Sequence, residues 1–140
     1  MGLVTGTCFA ETGSKVTCVD IDKEKVEKLN RGQITIYEPG LKKIFLRNIK
    51  EKRLKFTTQL EEAVKDAEII FLALPTPPGA DGGVDLKYVL DVADHLVKIL
   101  KGYKVIVNKS MVPVGTADKV SAAIAVNYKG EYDVVSNPEF

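Results

Sequence analysis

The chain has 140 residues, 45% hydrophobic and 28% charged, with 20 basic and 19 acidic side chains and a net charge of +1. Such a composition is ordinary for one globular domain, and the balanced charge excludes the basic excess of a nucleic-acid binder. No apolar run approaches the roughly 20 residues that cross a bilayer, and no basic stretch followed by an apolar one marks a signal peptide, so a cytoplasmic protein without membrane or nucleic-acid partners is expected.

In chain order, the first expected element is a helix over Gly2–Thr12, stopped by Gly13. Lys15–Ile21 (KVTCVDI) reads as a buried strand. Asp22 can cap a helix over Lys23–Arg31, which ends at Gly32; its alternating Lys and Glu suit a solvated face with i,i+4 pairs. Leu41–Glu51 follows Pro39-Gly40 as a third helix. Arg53–Thr57 is a weaker strand, and Thr58 with Glu61 forms a capping box for Gln59–Lys65. Ile69–Leu74 is the next strand, and Pro75–Gly83 a loop. Leu86–Leu100 places Val89, Val92, Ala93, Leu96, Val97 and Leu100 on one helix face. Val105–Val107 and Asp133–Ser136 are strands flanking a helix over Thr116–Ala125.

Strands alternating with helices imply right-handed crossovers and an α/β, doubly wound, mostly parallel sheet with both faces covered. The chain opens on a helix. In the order 3-2-1-4-5-6 of a Rossmann-like sheet the first strand is central, so the expectation is a sheet lacking its first strand and glycine-rich loop, with two open edges. Edge-to-edge dimerisation is one way to close them.

Cys8 and Cys18 match neither C-x-x-C nor zinc spacing, and His95 is the one histidine, so no metal site is expected. Both cysteines read as buried free thiols of a reducing cytosol. Gly2 fits the last glycine of a G-x-G-x-x-G turn, where a helix packs close to a strand. Asp20, eighteen residues on at the end of the second strand, suits an acceptor for the ribose hydroxyls of a dinucleotide and disfavours a 2′-phosphate, which selects NAD over NADP. Asp22 is the better helix cap, which leaves Asp20 free.

Five segments, GLVTGTCFAETGSKVTCVDID, IYEPGL, LALPTPPGADGGVDL, NKSMVPVGT and SNPEF, together resemble the UDP-glucose/GDP-mannose dehydrogenase family, in family order and over essentially the whole chain. The resemblance implies a partial NAD-binding domain over residues 1–140, with the substrate-binding domain absent. It implies NAD-dependent oxidation of a nucleotide-sugar C6 alcohol to the carboxylate, UDP-glucose to UDP-glucuronate, as in polysaccharide biosynthesis. GDP-mannose or a UDP-N-acetylhexosamine is the alternative substrate, and a non-enzymatic or decayed NAD-binding remnant the alternative class.

The same resemblance assigns roles. Asp20 binds the adenosine ribose with Lys25 near it, and Thr76 in Pro75-Thr76-Pro77 contacts NAD. Met111 stands where similar proteins carry a threonine that positions cofactor and water; methionine has no such donor, so Met111 is expected to fill an apolar gap and Ser110 to substitute. Glu139 is the catalytic base of the water-requiring step, and Phe140 begins a substrate-binding stretch. The thiolate of the covalent step matches neither Cys8 nor Cys18. The isolated chain is therefore expected to be inactive and to bind NAD weakly. A nucleotide sugar is the expected small-molecule partner, and a homo-oligomer the expected assembly.

Overall fold

In the computed structural model, which describes residues 2–137, every strand is parallel to its neighbour. The chain divides into two compact units, Met1–Ala63 and Val64–Phe140.

The first unit runs α1 (Gly2–Glu11), β1 (Val16–Val19), α2 (Lys23–Asn30), α3 (Leu41–Lys50) and β2 (Leu54–Thr57), and the chain then enters α4 (Leu60–Lys65). β1 and β2 pair in the register Val16↔Leu54 to Val19↔Thr57. Ala10, Val26, Leu29, Phe45, Leu54 and Phe56 form its core, with the Phe45 and Phe56 rings tilted at a centroid distance of 5.9 Å. Asp22 caps α2 by accepting from Lys25 N at 3.1 Å, and Lys28 pairs with Glu24 at 3.1 Å. The IYEPGL element has a local cause. Leu41 N donates to Glu38 O at 3.1 Å while Gly40 takes φ 80°. Pro39 and Gly40 thus supply the two central residues of a type II turn, which needs a positive φ at the second.

The side chain of Asn30 completes the outer edge of β2. Its Nδ2 donates to Phe56 O at 2.9 Å and its Oδ1 accepts from Phe56 N at 3.2 Å. A carboxamide therefore takes the place of a further strand at that residue.

The second unit contains β3 (Ile69–Leu72), α5 (Lys87–Ile99), β4 (Lys104–Asn108), α6 (Thr116–Asn127) and β5 (Tyr132–Ser136). Its sheet has the order β3-β4-β5. Val89, Ala93 and Leu96 are buried on α5 and Leu100 just past its end, and Val120 and Ile124 on α6; Val92 and Val97, expected on the same α5 face, are half-buried.

The sheet is interrupted where its first strand was expected to be absent, and two other expectations need correction. The strands form two sheets, β1-β2 and β3-β4-β5, so among the described residues β1 and β3 each have one hydrogen-bonded neighbour. These are the pairings the order 3-2-1-4-5-6 requires of its second to sixth strands. Coverage of both sheet faces is met along β4, where Ile106 and Val107 on opposite faces are both buried, but not on β3. Ile69 and Phe71 on β3 are exposed while Ile70 and Leu72 are buried. Steps from β3 to β4 to β5 run in one direction, and right-handed crossovers then put α5 and α6 on the same face, where they pack on each other. Finally, the hydroxyl that reaches a backbone amide before α4 is that of Thr57, accepting from Gln59 N at 3.0 Å, while Thr58 meets only the Gln59 side chain at 3.5 Å. The expected capping box is replaced by this tighter turn.

Candidate cofactor-binding site

Two groups of residues lie at carboxyl ends of parallel strands, where open α/β sheets place ligands. In the first unit Asp20 follows β1 directly. Its carboxylate is not free, as the sequence suggested. Oδ2 lies 2.8 Å from Lys25 Nζ, and Oδ1 accepts from Asp22 N at 3.0 Å. Partial desolvation opposes ionisation of Asp20, but the Lys25 hydrogen bond, the Asp22 amide and the Lys25 charge outweigh it and hold the carboxyl below its usual value of 3.8. The result is an ionised acceptor of fixed orientation, with side chains 35% exposed at Asp20 and 42% at Lys25. Ile21, beside it, is fully exposed.

Gly2 is the first residue of α1. A close approach of α1 to β1 is made by Gly6, which the sequence reading passed over. A Cβ at Gly6 would lie 2.8 Å from Cys18 Sγ and 3.4 Å from Val16 Cγ1 on β1. The signal was present: Gly2 and Gly6 are four apart and share one helix face.

In the second unit the ends of β3, β4 and β5 are stitched together. Lys109 N and Ser110 N reach Leu72 O at 3.0 and 3.1 Å, and Asn137 N reaches Asn108 O at 2.9 Å. Ser110 Oγ donates to Leu72 O at 3.0 Å and accepts from Leu74 N at 3.0 Å. Ser110 is buried, and its one hydroxyl proton is committed to Leu72. It has no proton to offer a cofactor, which corrects the expectation that Ser110 replaces the family threonine. Asn108 Oδ1 accepts from Ser110 N at 3.2 Å, and Asn108 Nδ2, fully buried, has no partner among the described residues. This buried amide is a second residue the sequence reading missed, because an Asn ending an apolar strand resembles a solvated loop residue.

Thr76 is half-buried in the segment after β3. Beyond it the glycine-rich loop folds back on itself: Asp85 N donates to Pro77 O at 2.8 Å, Gly79 N to Gly83 O at 2.6 Å, and Pro78 bridges Val84. Met111 is 56% exposed, so it fills no apolar gap; it stands in the loop that ends in Gly115, left-handed at φ 91°. Burial pushes the Cys18 thiol up to about 11, whereas Cys8 is exposed, contrary to the expectation that both are buried. Its position on α1, away from the buried Gly6, Thr7 and Ala10, explains this. Glu139 and Phe140 lie outside the described residues. Among the described residues no three His, Cys, Asp or Glu side chains are grouped to hold a metal, and no helix is long and apolar enough to cross a membrane.

Compared with known proteins, residues 1–140 match the family model described as UDP-glucose/GDP-mannose dehydrogenase family, NAD binding domain. The chain is 49% identical over 142 residues to UDP-glucose 6-dehydrogenase TuaD of Bacillus subtilis, covering 100% of this chain and 31% of that protein. It is 46% identical to the UDP-glucose 6-dehydrogenase of Pseudomonas aeruginosa, covering 100% and 32%. The chain thus spans about a third of the length of these relatives. Among solved structures, a UDP-glucose dehydrogenase from Pyrobaculum islandicum superposes with a TM-score of 0.92 at 37% identity, over 99% of this chain and 33% of that one. A ternary complex of GDP-mannose dehydrogenase from Pseudomonas aeruginosa gives 0.92 at 28% identity, over 99% and 34%. The fold is accordingly Rossmann-like, and the chain belongs to the UDP-glucose/GDP-mannose dehydrogenase family, its residues 1–140 matching the NAD binding domain.

Proposed function

We propose that these residues form one partial NAD-binding domain of a cytoplasmic nucleotide-sugar 6-dehydrogenase whose substrate is UDP-glucose. The observation that carries this reading is the Asp20–Lys25 pair at the end of β1, in a chain whose relatives at 49% and 46% identity are UDP-glucose 6-dehydrogenases. The ionised Asp20 accepts from the ribose hydroxyls of NAD, and Lys25 keeps it ionised and oriented. Gly2 opens the helix whose N-terminus favours a pyrophosphate, and Thr76 contacts the cofactor after β3. NAD held there would supply the acceptor for the hydride that leaves the substrate carbon. Glu139 acts as general base toward water, and Phe140 belongs to the substrate-binding stretch. The working assembly is a homo-oligomer that takes a nucleotide sugar.

The cofactor part is tested by amide chemical-shift titration of the chain, a method that detects millimolar binding. NAD is expected to shift the amides of Asp20 to Lys25 and of Thr76, and NADP to shift them less, because the Asp20 charge opposes a 2′-phosphate. Asp20→Asn is expected to narrow that difference. Equal titration by NAD and NADP, or shifts confined to other residues, sinks the assignment.

GDP-mannose is a second substrate reading, because a GDP-mannose dehydrogenase superposes on this chain as well as a UDP-glucose dehydrogenase does, each with a TM-score of 0.92. Following NAD reduction by a longer form that carries this segment, with UDP-glucose and GDP-mannose offered separately, decides between them.

A further inference from the structure

We propose that Ser110 is a positioning residue that latches the segment from Leu74 to Pro77 onto the end of β4, and so sets where Thr76 stands for the cofactor. This rests on the reading of Thr76 as a cofactor contact. The geometry is a closed bracket. Ser110 Oγ donates to Leu72 O and accepts from Leu74 N, each at 3.0 Å, so one hydroxyl spans the residues on either side of Ala73 just as β3 ends. No β-ladder bond is available there, since β3 pairs with β4 only as far as Leu72↔Asn108. Two prolines flank Thr76 and lack N–H donors, so Pro75 and Pro77 cannot anchor that stretch through their amides. The Leu74 amide is therefore the last anchor before Thr76, and Ser110 receives it.

The bracket is itself held. Ser110 is 1% exposed, its amide donates to Leu72 O at 3.1 Å and to Asn108 Oδ1 at 3.2 Å, and Asn108 is fully buried. A buried hydroxyl with both donor and acceptor used in one geometry has little rotational freedom. An alanine keeps the fold's apolar contacts but leaves the Leu74 amide without a partner.

The test compares Ser110→Ala with Lys104→Met, a variant that weakens the same unit far from this loop. Residue-resolved hydrogen exchange and the NAD titration of the Thr76 amide are read on both. Ser110→Ala is expected to speed exchange of the Leu74 amide about tenfold and to weaken the NAD titration about tenfold, the size of one lost hydrogen bond. Lys104→Met is expected to lower the melting temperature while leaving both readouts at wild-type values. Unchanged Leu74 exchange in Ser110→Ala overturns the latch. Equal loss of NAD binding in both variants reduces Ser110 to a purely structural residue and overturns the positioning role. If the wild-type chain shows no NAD-induced shift at Thr76, the cofactor reading fails, and the exchange rates still decide whether Ser110 latches the segment.

Discussion

Asn48 Nδ2 donates to Glu11 Oε2 at 2.6 Å, joining the end of α1 to the last turn of α3. Arg47 adds a fork to the same carboxylate, through Nε at 3.2 Å to Oε2 and through Nη2 to Oε1. Asn48 is fully buried and accepts in turn from Arg53 Nε at 2.9 Å. The Asn48 hydrogen bond, with the Arg47 bond and the charges of Arg47 and Arg53, holds Glu11 below its usual value of 4.5 against some desolvation.

A pH dependence follows, with a definite sign. A carboxyl whose folded pKa is depressed stabilises the fold above its unfolded pKa and loses that contribution as pH falls through the folded value. Asp20 is depressed likewise from 3.8. The melting temperature is therefore expected to be nearly flat above about pH 5 and to fall below it. Glu11→Gln should melt lower than wild type at pH 7, and the two should converge as pH drops past 4. Melts followed by circular dichroism from pH 7 to 3 provide the check; parallel curves for the two proteins would exclude Glu11 as a source of the acid sensitivity.

Gly6 faces Cys18 so closely that an added Cβ meets the sulfur at 2.8 Å. Gly6→Ala is expected to cost about 1–3 kcal/mol by overpacking, despite alanine's higher helix propensity. Cys18→Ala removes the obstacle. Gly6→Ala/Cys18→Ala should thus lose less stability than the sum of the single variants, since contacting residues are not additive. Urea melts of the four proteins measure this directly, and strict additivity would mean that helix and strand separate instead of clashing.

Periodicity and turn chemistry made the order of elements legible, because each apolar run or face coincides with a strand or helix. It misled where a residue's environment depends on distant chain. Lys104 and Asn108 bracket the apolar VIV of β4 and look like loop residues, yet both are buried in the strand, one on carbonyls and one on Ser110. Ile69 and Phe71 look like core and are exposed, because β3 ends up at the edge of its sheet, a placement sequence does not display, while their β4 partners Val105 and Val107 are half-buried and buried. Of the candidate site, the spacing from Gly2 to Asp20 was readable. The ion pair with Lys25 was expected only as proximity, and the two bonds of the Ser110 hydroxyl were not foreseeable, since they depend on where β3 ends beside β4.

The two cysteines are expected to react at very different rates. With a thiol at about 11, Cys18 is ionised on the order of one part in a thousand at pH 8, and thiolate is the reactive form. Cys8 is exposed. Intact-mass analysis during iodoacetamide treatment at pH 8 should show one adduct forming rapidly, mapped to Cys8, and a second only on unfolding in urea. Simultaneous modification of both would contradict the packing of Cys18 against Gly6.

Lys104 sets a contest between two effects of known sign. Its buried ammonium donates to Val64 O at 3.2 Å and Lys65 O at 3.4 Å at the end of α4, and to Ala67 O in the turn that follows. Replacing it by methionine relieves the desolvation of a buried charge, which favours the variant. The same change strips a donor from three carbonyls, of which Val64 O keeps the Ala67 amide at 3.2 Å, and an unsatisfied buried acceptor costs about 1–3 kcal/mol. The carbonyls should prevail, because the ammonium already has a partner for each of its three protons and sits at a helix C-terminus, where a cation is favoured. Lys104→Met is thus expected to lose about 1–3 kcal/mol in urea unfolding. Lys104→Arg should not recover it, since a planar guanidinium cannot aim at three carbonyls arranged around a point. A Lys104→Met variant more stable than wild type would mean that desolvation outweighs the three bonds, and that the lysine is retained for something other than stability.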